Sequence, residues 1–178
     1  MKNKIVKISD LAMIRKNNPN KIIVHCHGVF DLLHHGHFLH LNKAREIGDI
    51  TVVTITSDRY VNKGPDRPYF NADKRAFMLA SLEQVDYVSI NDASISVKPI
   101  KSLSPDYYLK GYDYSNIEED RTGGISKEKM AVESVGGKII FSNDLSDSST
   151  KLLNKYFLDW DEEQQKTIGK IRKKDENV

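Results

Sequence analysis

All six histidines of the chain lie between His25 and His40. The same stretch holds a glycine-bearing turn, Gly28-Val29-Phe30-Asp31, followed by His34-His35-Gly36-His37. Phe38, Leu41, Ala44 and Ile47 then recur at helical spacing before Gly48, a C-cap residue, so the spacing predicts a helix over 36–47. The turn therefore runs into a helix N-terminus, where amides without intrahelical partners and the helix dipole favour an anion. His34 and His37 are three apart and point to one side as the helix begins. Gly36 removes a side chain where a phosphate chain would approach. Two imidazoles donating to phosphate oxygens would stabilise charge moving onto a leaving pyrophosphate.

The other histidines have simpler readings. His25 and His27 alternate on a strand and share one face. His27, beside Gly28, is placed to line the nucleotide site, and His25 reads as a core residue. His35 and His40 read as surface or packing residues, and Cys26 as a small core residue. A metal centre built from His25, His27, His34, His37 and His40 is the competing chemistry. Against it, no Asp/Glu/Cys set follows at a zinc spacing, and H-E-x-x-H is absent. A third reading is a non-catalytic nucleotide-sensing module; His34, His37 and Lys63 together argue against it.

The elements that must position these groups alternate along the chain. Short β-branched runs at 21–27, 50–56, 86–90, 106–110 and 138–142 read as strands. Helical spacing is found at 36–47, after a cap at Asn71 or Asp73, at 94–103 if Pro99 falls in or near the first turn, at 126–135, and at 151–158 after Ser148 or Ser149. This alternation predicts an α/β, Rossmann-like three-layer sandwich: a five-stranded parallel sheet with right-handed crossovers and helices on both faces. In such sheets ligands bind beyond the carboxyl ends of the strands. Those ends carry His27-Gly28, Ser57-Asp58, Lys110-Gly111 and Ser148-Ser149-Thr150, which suit a phosphorylated ligand. Residues 1–158 are assigned to one domain with its core at about 20–158. Residues 159–178 are strongly charged and read as a helix or linker.

Composition narrows the classes. A chain of 178 residues with 39% hydrophobic and 29% charged residues fits one ordinary folded domain. No apolar run reaches the roughly 18 residues of a membrane span, and no secretory h-region follows the first residues. One cysteine excludes a disulfide framework and suits a reducing compartment, so a cytoplasmic location is expected. A net charge of +2 gives no argument for a nucleic-acid or membrane partner.

The ordered motifs resemble the cytidylyltransferase-like nucleotidyltransferases, whose signature is H-x-G-H after G-x-F-D. In particular they resemble the nucleotidyltransferase domain of ADP-heptose synthases. The resemblance covers about residues 20–158 and is carried by Gly28-Val29-Phe30-Asp31, His34-x-Gly36-His37, Ser57-Asp58, Lys63-Gly64, Arg67-Pro68, Arg75, Val85-Asp86, Pro105-Asp106, Leu109-Lys110-Gly111-x-Asp113-Tyr114, Gly136-Gly137 and Ser148-Ser149-Thr150. It implies that Val29, Phe30, His34, Gly36 and His37 hold a nucleoside triphosphate. It also implies that Lys63 contacts phosphates near the reacting centre, with Arg67 and Arg75 in support. Ser148-Ser149-Thr150 would bind phosphate, and Lys98 would take the acceptor phosphate. Gly28, Lys110 and Asp113 join the nucleotide-binding set, and Asp31, Arg67 and Arg75 join Lys98 in the substrate-binding set. Two departures stand out: Tyr112 replaces an expected glycine, and Arg121-Thr-Gly-Gly-Ile-Ser126 is similar to a string of glycerol-3-phosphate cytidylyltransferases but lies far from Ser148, as a loop would.

The activity so implied is in-line attack of a sugar-phosphate oxygen on the α-phosphorus of ATP, or of CTP, with pyrophosphate leaving. Mg²⁺ would share the charge with His34, His37 and Lys63. An alditol or other small phosphate is the alternative acceptor. A homodimer is expected, and a sugar kinase, fused or separate, is the partner that the resemblance implies.

Overall fold

The computed structural model describes residues 4–64, 67–111 and 124–142. Strands β1 (Ile23–Gly28), β2 (Ile50–Thr56), β3 (Tyr87–Asn91), β4 (Tyr107–Gly111) and β5 (Lys138–Ser142) form one parallel sheet in the order β3-β2-β1-β4-β5. The helices are α1 (Leu11–Asn17), α2 (His35–Ile47), α3 (Ala72–Ala80), α4 (Val97–Leu103) and α5 (Gly124–Ser134). The expected Rossmann-like α/β architecture is thus what forms. The expected helix at 151–158 lies outside the described residues.

Strand alternation explains the layering. Val24 and Cys26 on β1, Val53 and Ile55 on β2, and Leu109 on β4 join Leu41 and Ala44 of α2 and Ala76 and Leu79 of α3 in one apolar cluster. The alternate residues face the other way. Ile23 and Val52 pack with Leu11 and Ile14 of α1 and Leu103 of α4, while Tyr108 packs with Ile100, Ala131 and Val132. Toward the carboxyl end this second face becomes polar, through His25, His27, Thr54, Thr56 and Lys110, all buried. Burial on both faces is why these strands read as near-continuous apolar runs.

Strands β1, β3 and β4 lie within two residues of expectation, and three differences in the helical parts bear on the packing. The helix expected from 94 begins at Val97, because Ser96 is held by the Glu128 carboxylate on its N–H at 2.7 Å and takes the N-cap place, which puts Pro99 in the first turn. Helix α5 starts earlier, at Gly124. The third difference is an addition: residues before the first strand carry a short 3₁₀ turn and α1, with Leu11 fully buried. Residues 4–6 also pair with β3, through Val6 N–H to the Val88 carbonyl (2.9 Å) and Val88 N–H to the Lys4 carbonyl (2.8 Å).

Leu11→Ala opens a cavity against Ile14, Ile23, Val52 and Leu103. We expect it to lower unfolding free energy by about 2–5 kcal/mol, measured by urea denaturation. A loss below about 1 kcal/mol would mean that α1 is not part of the cooperative core.

Candidate active site

The site is built at the carboxyl end of β1, the central strand. Beyond Gly28 the chain turns sharply, with Phe30 in the left-handed region at φ 50° and its side chain buried. Its ring folds back over Gly28, where a Cβ would sit 3.1 Å from the ring. Glycine there admits the ring, and the ring lies 5.0 Å from that of His37. His34 is the N-cap of α2 in extended conformation, and its carbonyl accepts from His37 N–H at 2.9 Å. Its side chain makes no capping hydrogen bond. The rings of His34 and His37 lie 3.9 Å apart, tilted by 33°. The spacing of three thus puts both imidazoles together at the positive end of a helix.

Burial, then the neighbouring His34, then Lys63 push the His37 pKa down to about 3, with the Leu32 carbonyl opposing. The imidazole is therefore neutral near pH 7, a hydrogen-bond donor that carries no charge of its own. Lys63 is exposed to solvent overall, yet its ammonium is depressed by partial desolvation and by Arg67, with Asp31 pulling the other way. Gly64 beside it has φ 99°, which a side chain would resist.

Two arginines hold the loops. Arg75 on α3 is fully buried. It donates to the Phe70 carbonyl at 2.9 Å, to the Thr56 carbonyl at 2.8 Å, to the Val29 carbonyl, and to Asp58 at 2.6 Å. Its donors all turn inward, so Arg75 positions the loops after β1 and β2. Arg67 pairs with the buried Asp31 at 3.3 Å, and Asp31 also accepts Phe70 N–H at 3.1 Å.

The polar face of the sheet continues the site downward. His27 Nδ1 contacts the Thr54 hydroxyl at 2.8 Å and the Thr54 carbonyl at 3.0 Å, and burial lowers its pKa to about 4. It turns into the sheet rather than out toward a ligand. His25 Nε2 contacts the same hydroxyl at 2.8 Å, and burial holds its pKa well below the usual value. Lys110 is buried against Glu128 of α5 at 3.3 Å. His40 reaches Ser142 at 3.2 Å, tying α2 to the end of β5. Cys26 is buried, and desolvation pushes its thiol up to about 12.

The structure therefore brings Gly28, Val29, Phe30, Asp31, His34, Gly36, His37, Lys63, Arg67 and Arg75 to one end of the sheet, where the loop after β1 meets the loop after β2. Lys98 stands exposed on α4. Asp113, Ser148, Ser149 and Thr150 lie outside the described residues. Sequence reasoning missed Glu128, Thr54 and Ser96, and it singled out Asp58 without its role as the partner of Arg75. Glu128 had a signal, since it falls three after Ile125 and three before Ala131, on the apolar stripe of α5. Among the described residues, no group of three or more His, Cys, Asp or Glu is placed to hold a metal ion.

The cytidylyltransferase-like family model matches residues 25–155, which span every part of this site. The chain belongs to that family. Cytidylyltransferase-like proteins are nucleotidyltransferases, so the chain is an enzyme of that class. It is 37% identical over 154 residues to the bifunctional protein HldE of Campylobacter fetus, covering 85% of this chain and 31% of that protein. It is 42% identical over 130 residues to the HldE of Citrifermentans bemidjiense, covering 72% and 25%. The chain thus spans less than a third of the length of these relatives. Among solved structures, a lipopolysaccharide core biosynthesis protein from Thermoplasma volcanium superposes with a TM-score of 0.59 at 24% identity, over 71% of this chain and all of that one. A pantoate-beta-alanine ligase from Francisella tularensis gives 0.56 at 17% identity, over 82% and 68%. Both support the fold. No helix among the described residues is long and apolar enough to cross a membrane.

The depressed histidines make stability pH-dependent with a definite sign. Between about pH 4 and 6.5 the unfolded chain protonates His37 and His27 while the folded chain does not. Stability is therefore complete above about 6.5 and falls as pH drops. Replacing His37 by Asn should reduce the slope of unfolding free energy between pH 5 and 6 by about 1.4 kcal/mol per pH unit, read from denaturation at each pH. An unchanged slope would mean His37 titrates normally.

Proposed function

We propose that this enzyme transfers a nucleoside monophosphate, with ATP as donor, to the phosphate of a sugar phosphate, releasing pyrophosphate. The observation that carries the reading is the His34–His37 pair, stacked 3.9 Å apart at the N-terminus of α2 with Lys63 within electrostatic reach. The helix end, the neutral His37 imidazole and the His34 ring beside it take the triphosphate oxygens, and Lys63 adds charge where the pentavalent α-phosphorus gathers it. An acceptor oxygen attacks that phosphorus in line as the bond to the leaving pyrophosphate breaks. Such transfer needs positioning and charge neutralisation, with no covalent intermediate.

Mg²⁺ carried in on the nucleotide would supply further neutralisation at the phosphates. The donor set fits an ion brought by its substrate: the buried carboxylate on the turn before the pair, Asp31, is engaged by Arg67 and Phe70 N–H. The choice of a sugar phosphate draws on the resemblance to ADP-heptose synthases and on the HldE relatives, which are named bifunctional and are more than three times as long as the matched region. A sugar kinase, on the same chain or a separate one, then supplies the acceptor. A homodimer is the proposed assembly and the cytoplasm the proposed compartment.

A pyrophosphate-release screen of ATP, CTP, GTP and UTP against phosphorylated sugars and alditols tests the reading directly. ATP with a sugar phosphate should turn over, EDTA should stop it, and excess Mg²⁺ should restore it. Nucleotide bound without turnover by any pair would leave a sensing module as the better account, and no nucleotide bound would overturn the transfer reading.

Lys63→Ala should cut kcat by about 10²–10³-fold. Because Lys63 is exposed, its melting temperature should barely move, corresponding to less than about 0.5 kcal/mol. An undiminished kcat removes Lys63 from the mechanism.

A further inference from the structure

Arg67 is a buried cation with most of its hydrogen-bonding capacity unmet. Its side chain is 7% exposed, and the Asp31 carboxylate, 1% exposed, meets only Nε, at 3.3 Å. The terminal nitrogens Nη1 and Nη2 are buried and have no hydrogen-bond partner. A guanidinium carries five N–H donors, and leaving such groups unpaired away from water is costly. Arg75 is the internal contrast, since its nitrogens are all engaged by carbonyls and Asp58. A structural strut resembles Arg75; Arg67 has the donor surplus of a receptor.

Its surroundings say what it receives. The ring of Tyr69 lies over the guanidinium at 4.9 Å and is 57% exposed, so it is a cover that faces solvent. Lys63 stands four residues before Arg67 on the same loop and interacts electrostatically with Arg67, Asp31 and His37. Asp31 follows Phe30, whose ring touches His37. Two cations against one carboxylate leave a positive surplus beside the nucleotide site. The planar fork suits a carboxylate or a phosphate. A carboxylate would have both oxygens taken by the fork, whereas a phosphate monoester has three terminal oxygens and keeps one.

We propose that Arg67 is the receptor for the acceptor's phosphate: a phosphate monoester dianion displaces the Tyr69 ring, takes Nη1 and Nη2 with two oxygens, and keeps the third beside Lys63 as the nucleophile. This rests on the transfer reading above and assigns its acceptor subsite. The third oxygen forms the new bond to the α-phosphorus, the bond from that phosphorus to the bridging oxygen breaks, and pyrophosphate departs with the electron pair. The dianion needs no proton removed. Arg75 and Lys98 have no part in this contact.

Calorimetric titration of inorganic phosphate into protein saturated with Mg²⁺ and α,β-methylene-ATP reads the subsite without turnover. Wild type should bind phosphate, and Arg67→Ala should bind it about tenfold or more weakly. Arg67→Lys, which keeps a charge for Asp31 but lacks the fork, should also lose affinity. Each variant is first saturated with the nucleotide analogue, so that phosphate affinity is compared at equal nucleotide occupancy. Wild-type phosphate affinity in either variant overturns the proposal. If Arg67→Ala does not fold, Arg67→Lys and arginine side-chain ¹⁵N spectra of the wild type carry the test. Phosphate should shift the Arg67 Nη signals, where chloride at equal ionic strength should not, and no shift overturns the proposal. Failure of the wild type to bind α,β-methylene-ATP, seen before phosphate is added, is instead a failure of the transfer reading.

Discussion

The Arg75 guanidinium is the constraint on which the rest of the site depends. It is fully buried, and its partners come from three places in the chain: Val29 after β1, Thr56 and Asp58 after β2, and Phe70 ahead of α3. A buried charge of this kind is tolerated because backbone carbonyls and one carboxylate satisfy its donors. In return it fixes the distance between the turn that carries Phe30 and the loop that carries Lys63 and Arg67. His37 and Lys63 lie on separate crossovers, and this cross-tie is what makes their spacing reproducible. Removing it would take this donor from three backbone carbonyls and from Asp58 as well as loosening both loops.

The two faces of the sheet divide the labour. The face under α2 and α3 is apolar throughout and gives α2 a rigid seat, through Leu41 and Ala44. The opposite face is apolar at its base and polar at its top. There Thr54 receives His25 and His27, Ser96 lies 3.3 Å from the Thr54 hydroxyl, and Glu128 joins Ser96 to Lys110. A network of this kind ties β1, β2 and β4 to α4 and α5 through directional contacts that an apolar core does not provide. It stiffens the strand ends from which the loops of the candidate site depart.

Much of this was legible in the sequence, and the reasons are specific. Burial on both faces gave β2 its unbroken run at Ile50–Thr56, and the half-buried Ile139, Ile140 and Phe141 marked the edge strand β5 at Lys138–Ser142; both boundaries matched. The Asn71 cap was readable because its side chain accepts from Lys74 N–H. The spacing of His34 and His37 gave their proximity. What stayed hidden was direction within the fold. Nothing local distinguishes Arg75, turned wholly inward, from Arg67, whose donors are left over. His27 sits beside Gly28 in the chain, yet its ring is drawn into the sheet by Thr54, a partner on another strand. Helix α1 escaped notice because two buried residues, Leu11 and Ile14, are too few to set a period.

The segment at residues 4–6 has a consequence for how the molecule meets its neighbours in a crowded solution. A parallel sheet with β3 at its margin would present a row of open amides and carbonyls, a template on which a foreign strand could grow. Here Val88 gives both its N–H and its carbonyl to the chain's own leading residues. The margin is capped from within, and the cap is held down by Leu11 just behind it. Colloidal behaviour at this edge therefore depends on a few residues remote from the chemistry, and a chain that lost them would become adhesive before it became inactive.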